Sequence, residues 1–273
     1  MSLILAWRDA TRLTVDGAPL RPDLLADKPP RDVAATPLGV GNAPIALGDL
    51  FTVAPLDAPP GTLVVEGDLR GVAGLGAGMA AGRLIVRGDA GPRLGLRISG
   101  GRLDVHGHVG PWAGSEMRGG LLHIRGNAGD HLGSALPGSR LGLRDGLILV
   151  DGNAAARVGQ SMRRGLIAVG GTLGPAAAHA MIAGSLFAFG AVGPNLGLGM
   201  RRGTVFLTEP IGSDRLLPTF LPSGIHAPPF LAIYLSRLAA LGFGPAARRS
   251  PRVRRYNGDT SAGGQGEILV AVD

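Results

Sequence analysis

The chain has 273 residues, 45% hydrophobic and only 4% aromatic, so a sizeable core must be built from Leu, Val, Ile, Ala and Met. It holds no cysteine, which excludes disulfides and thiolate metal sites, and no run of ~18 apolar residues that could span a membrane. Its net charge of +7 favours anionic partners, but with Lys28 as the single lysine the Arg bias also reflects GC-rich coding, and nucleic acid is not expected.

The opening MSLILAWRDATR has too short an apolar run for a secretory signal, so a cytoplasmic protein without a membrane partner is expected. Residues 1–60 offer LILAW, TRLTV and IALGDLFTV between proline-rich connections, and read as an irregular β cap. From Gly61 a unit G-x-L-x-V-x-G recurs as GTLVVEG, GRLIVRG, GRLDVHG, GLLHIRG, GLILVDG, GLIAVGG and GSLFAFG, with a truncated copy at Gly203. The unit starts are spaced 21, 19, 19, 26, 19, 19 and 19 residues apart, and the longest spacing carries an insertion, PGSRLGLRD. Such internal periodicity outranks any local assignment.

Within each unit the third and fifth residues are apolar, from Leu63 and Val65 to Val205 and Leu207, which predicts a short strand with one face inward. Further apolar columns run through Leu69, Ala90 and Val109, and through Leu94, Ala113 and Leu132. Another holds Met79, Ile98, Met117, Leu143, Met162, Met181 and Met200, so every methionine except the first shares one column. Several inward positions per 19 residues predict an all-β, right-handed parallel β-helix, a single-stranded solenoid of seven to eight rungs over 61–209. The many glycines, 47 in all, then mark corners with positive φ or close backbone packing, so GLGAG at 74–78 is no dinucleotide loop. Beyond the repeats, 210–273 reads as a C-terminal cap with a helix over 228–244, a basic run ARRSPRVRRYNGD and a final strand EILVAV.

The residues between the inward positions carry the functional expectations. Leu121, Leu147, Leu149, Leu166, Phe187, Phe189 and Phe206 alternate with core positions and point off the sheet, so an interface or the chain's own C-terminal helix must cover them. Behind the methionine column stand Arg118, Arg144, Arg163, Arg164, Arg201 and Arg202; rows of like charge ~5 Å apart repel unless splayed into water or matched by an anion. They are the candidates for contact with an anionic ligand or an acidic partner. His106, His108, His123 and His131 have a spacing that could suggest a metal, but His106 shares its outward column with Glu66, Arg87, Arg125 and Asp151, and His108 shares another with Asp68, Asp89, Asn127 and Asn153, so solvated surface is expected. No catalytic residue and no metal site is assigned.

The repeats, the GDLFTV before them and the closing RRYNGDTSAGGQGEIL together resemble the C-subunit of formylmethanofuran dehydrogenase. The glycine repeat alone is similar to one in the glutamate synthase large subunit, so the closing motifs make the resemblance specific. It implies a non-catalytic scaffold among partner subunits that are amidohydrolase-like, formyltransferase and molybdopterin-enzyme-like. The related bacterial formyltransferase/hydrolase complex, which moves a formyl group from tetrahydromethanopterin to a methanofuran-type carrier and releases formate, suits this composition best. A molybdenum or tungsten formylmethanofuran dehydrogenase is the alternative, and a stand-alone polysaccharide-active β-helix enzyme a more distant one. The resemblance implies no cofactor bound by this chain alone, with a methanofuran-type carrier and its polyglutamate tail at an interface between subunits.

Overall fold

A computed structural model describes residues 2–8, 13–247 and 252–272. The protein is mostly β, dominated by one large and largely parallel sheet with a few helices. The chain opens with β1 (Leu3–Trp7) and β2 (Val15–Asp16), then short helices α1 (Pro22–Leu25) and α2 (Pro30–Ala34). The hairpin β3 (Pro37–Val40) and β4 (Ala43–Ala46), helix α3 (Leu47–Leu50) and β5 (Phe51–Pro55) follow. Of TRLTV, Thr11 and Arg12 lie outside the described residues, and Val15 is in β2, which pairs with β3 and with β7 (Val72–Ala73).

Each repeat contributes one main strand. These are β6 (Thr62–Glu66), β8 (Arg83–Arg87), β9 (Arg102–Val105), β10 (Arg118–Ile124), β11 (Asp145–Val150), β12 (Leu166–Val169), β13 (Ser185–Ala188) and β14 (Arg202–Leu207). Each pairs in parallel with the next, so Leu122 lies against Ile148 and Ile148 against Ile167. The column Leu69, Ala90, Val109, Ala128, Ala154, Leu173 and Val192 forms its own run of parallel bridges. All seven members of the methionine column are fully buried. The unbranched thioether fills gaps of irregular shape between neighbouring rows, which suits it to this recurring place.

Terminal strands extend the core columns at both ends. β1 runs parallel to β6, setting Leu3 beside Leu63 and Leu5 beside Val65, and β5 covers its free edge antiparallel. At the other end β17 (Gln265–Val272) lies parallel to β14 with Ile268 beside Val205, and antiparallel strands β16 (Arg252–Gly258) and β15 (Leu221–His226) follow outward. Asp259 fastens this return: its buried carboxylate accepts from the amides of Gly199 at 3.0 Å and Ser261 at 2.9 Å. Of the basic run ahead of RRYNGD, residues 248–251 lie outside the described residues.

Close approach explains the glycines. A Cβ on Gly165 would stand 2.6 Å from the Gly146 carbonyl oxygen of the preceding repeat, and φ there is +88°. At the other end of the strand Gly190 has an ordinary φ, yet its Cβ would meet the Gly171 oxygen at 2.6 Å. Left-handed backbone at the corners is not confined to glycine: Arg93, Trp112, His131, Arg157, Ala176 and Asn195 all have φ between 57° and 62°.

Polar side chains join the rows as well. The amide of His108 donates to Asp89 Oδ1 at 2.8 Å, that of Asn127 to His108 Nδ1 at 2.9 Å, that of Asn153 to Asn127 Oδ1 at 2.8 Å, and that of Thr172 to Asn153 Oδ1 at 2.8 Å. His108, exposed as expected, serves at the same time as an acceptor in this ladder. His123 departs from the solvated reading: it is fully buried, and its Nε2–H donates to Asp151 Oδ1 at 2.9 Å, with Arg125 on the other carboxylate oxygen. The insertion in the longest spacing is tied by Glu116, whose carboxylate accepts from Arg97 at 2.8 Å and from the Leu136 amide at 3.4 Å. β11 still pairs in register with β10 beyond it.

Two predictions test this architecture. Gly190→Ala is expected to destabilise by about 1–3 kcal/mol through overpacking, whereas Gly71→Ala, with open space around its Cβ, stays within about 0.5 kcal/mol in denaturant titration. The second concerns Asp104, where burial pushes the carboxyl up but bonds from Arg102 and Arg83 outweigh it and hold it below the usual carboxylate range. A depressed folded pKa gives stability that is full above the ordinary carboxylate value of ~3.9 and lost as pH falls through the folded one. Melting temperatures followed from about pH 5 to 2 should therefore fall less steeply for Asp104→Asn than for the native chain.

Candidate functional site

The outward face of β11 to β14 is not an external surface. Helix α4 (Pro229–Ala240) lies across it, and Leu231, Leu235 and Leu238 pack with Leu149, Phe187 and Phe206, all buried. Leu147, Leu166 and Phe189 join the same cluster, with Leu121 partly buried at its margin. Phe187 meets Phe206 and Tyr234 at ring-centroid distances of 5.2 and 5.5 Å, and Phe189 meets Phe243 at 5.4 Å. Of the two covers left open for this row, an interface with another chain or the C-terminal helix, the helix is the one present here. A strand face of such apolar area draws in the amphipathic helix of its own chain, which is tethered at high effective concentration.

Docking the helix leaves a groove along the starts of the strands. One concavity of about 680 Å³ is lined by Arg163, Arg164, Gly165, Ile182, Ala183, Gly184, Ser185, Arg201, Arg202 and Tyr234. A second, also about 680 Å³, continues past Gly120, Leu121, Asp145, Leu147 and Leu166 to Arg237 and Leu241. The two share Arg164, Gly165 and Tyr234. The sheet supplies the arginines because each follows the buried methionine column, where the chain turns outward before the strand-initial glycine. The floor is glycine for the packing reason already given.

Four of the six arginines expected to meet an anion thus come together. Arg163, Arg164, Arg201 and Arg202 are exposed, and among the described residues none forms an ion pair; Arg202 Nε donates to Gln265 Oε1 at 2.7 Å. Arg118 and Arg144 are not among the lining residues. Arg118 is exposed beside Asp145 in the strand register, and Arg144 is half-buried with its Nε unpartnered among the described residues. Tyr234 and Arg237 were not expected. They lie outside the repeat, and the available signal was their i, i+3 spacing on the helix. Among the described residues no group of three or more His, Asp or Glu is arranged to hold a metal ion. No described helix is long and apolar enough to cross a membrane.

Comparison with known proteins gives the groove a context. Over 99% of its length the chain superimposes on the whole of one chain from the crystal structure of the formyltransferase/hydrolase complex (FhcABCD) of Methylorubrum extorquens with methylofuran, at a TM-score of 0.89 and 34% identity. It is 32% identical over 96 residues to the C-subunit of the tungsten-containing formylmethanofuran dehydrogenase 2 of Methanothermobacter wolfeii. The chain belongs to the family of formylmethanofuran dehydrogenase C-subunits. The C-subunit of the molybdenum-containing formylmethanofuran dehydrogenase 1 of Methanothermobacter marburgensis is 32% identical over 95 residues. These two alignments take in 34% and 35% of this chain, and 36% and 24% of the lengths of the two dehydrogenase relatives. No family model matches the sequence.

In this member of the family the groove depends on the seam beneath it. Phe187→Ala is expected to cost about 3–5 kcal/mol and to loosen α4, seen as a lower denaturation midpoint and faster amide exchange over 229–240.

Proposed function

We propose that the chain is a non-catalytic scaffold subunit of a formyltransferase/hydrolase complex that passes a formyl group from formyl-tetrahydromethanopterin to a methanofuran-type carrier and releases formate. The observation that carries this reading is the end-to-end match, at 34% identity, with a chain of such a complex from Methylorubrum extorquens. Alignment with the dehydrogenase relatives takes in only about a third of this chain. The scaffold role is supported by where the polar groups are spent: Asp89, His108, Asn127 and Asn153 hold backbone amides of the next repeat, and Asp104, Glu116 and Asp151 are engaged by arginine. Its partners are the amidohydrolase-like, formyltransferase and molybdopterin-enzyme-like subunits of a cytoplasmic hetero-oligomer.

On this reading the architecture is a right-handed parallel β-helix over 61–209, capped by 1–60 and 210–273. Three features support it: in-register parallel pairing of successive repeats, a second run of parallel bridges, and the strong right-handed preference of parallel crossovers. The carrier's polyglutamate tail lies at an interface between subunits that includes the arginine groove, where guanidinium forks match carboxylates.

Affinity purification of the tagged chain from its native host tests the proposal. The expected result is a complex of fixed stoichiometry that forms formate from formyl-tetrahydromethanopterin, with the separated chain inert. Capture of an iron–sulfur dehydrogenase activity instead, or turnover by the chain alone, would overturn it.

A further inference from the structure

The left-handed corner column holds Arg93, Trp112, His131 and Arg157 in four successive repeats. Trp112 and His131 stack as near-parallel rings, with centroids 5.0 Å apart and an interplanar angle of 7°, close to the spacing of the rows that carry them. Arg93 precedes this pair and Arg157 follows it, both exposed, while the two rings stay partly open to solvent. At ~4.8 Å per row the two arginine corners stand roughly 14 Å apart, with the rings between them. None of these residues lines the groove beside α4.

On the sheet, Arg83 and Arg102 hold Asp104, Arg87 reaches Glu66 at 3.6 Å and Arg125 holds Asp151 at 2.9 Å, so these guanidinium groups are matched within the chain. The corner column is not matched. Among the described residues neither Arg93 nor Arg157 forms an ion pair. The carboxylates of the same flank are engaged elsewhere, Glu116 by Arg97 at 2.8 Å and Asp130 by the Ala156 amide at 2.8 Å. The free charge reaches its neighbours: His131 and His179 are both held below the ordinary imidazole range, by burial first and then by Arg157.

A half-exposed tryptophan between two free guanidinium groups has the make-up of an interface centre, where tryptophan and arginine are enriched. We infer that this corner is a docking surface for an acidic loop of a partner subunit, which lays an apolar side chain on Trp112 and sets one carboxylate on Arg93 and another on Arg157. About four residues of extended chain cover that distance, which fixes the spacing of the two carboxylates. The surface rests on the scaffold reading and gives one of its partner contacts a place and a chemistry.

The complex purified from the native host, with the photo-crosslinker p-benzoylphenylalanine in place of Trp112, tests this surface. Irradiation should join it to a partner segment that carries two Asp or Glu side chains about four residues apart. Arg93→Glu combined with Arg157→Glu should weaken retention of that subunit by about tenfold or more, and arginine at the two crosslinked carboxylates should restore it. The variant chain should melt as the native one does, because both side chains are exposed and unpaired; if it melts lower, Arg93→Gln with Arg157→Gln carries the same comparison. A crosslink to nucleic acid, to a second copy or to a segment without carboxylates would overturn the surface while leaving the scaffold reading in place. So would an intact complex without a crosslink, or full retention by the charge-reversed chain. If the native chain captures no partner in the same purification, the scaffold reading fails and this surface fails with it.

Discussion

The spacing between successive rows of the sheet is enforced by backbone meeting backbone at the glycine columns. At Gly165 and at Gly190 a single added carbon would lie 2.6 Å from a carbonyl oxygen of the repeat before. Real side chains essentially never approach so closely, so a larger residue would have to push the rows apart. The hydrogen bonds between rows and the inward packing of Leu, Ile and Met operate at that same separation. Glycine at both ends of the strands from β8 to β13 therefore sets the distance at which the core and the main-chain ladder are satisfied together, at the entropic cost that glycine carries in the unfolded chain.

Polar side chains repeat the theme. In the column through Asp89, His108, Asn127 and Asn153, residue identity changes but acceptor chemistry does not, and each member receives the amide of the next repeat. A histidine in that column is chemically an acceptor like its neighbours, its Nδ1 already occupied. Asp104, Glu116 and Asp151 perform a related service for arginines reaching across rows, which keeps carboxylates ionised although they are buried in whole or in part.

The stacking pattern was legible because it depends on residue size and on a fixed interval. Methionine at 79, 117, 162, 181 and 200 could share a column only if the chain returns to the same place every repeat, and the helix around Leu231, Leu235 and Leu238 carries its own spacing. What a one-dimensional pattern cannot supply is which face a non-repeating segment settles on. Phe187 and Phe206 were recognisably outward, but whether a partner or α4 covered them depended on a contact between distant parts of the chain. The same contact creates the groove, so Tyr234 and Arg237 carried no visible function in the sequence. His123 stands opposite Asp104 and Leu149 in the strand register, in the column that continues to Phe187 and Phe206, and is buried as they are.

The longest spacing between repeats has a consequence for how such a chain can change. Its additional residues leave at a corner and are held by Glu116, and the following strand resumes alignment, Leu122 opposite Ile148 as if nothing had intervened. Growth at that corner is sideways, perpendicular to the direction in which the rows accumulate. A lineage could therefore enlarge or reshape the outline of this molecule there, loop by loop, while its length, its interior and its arginine-lined flank stay as they are.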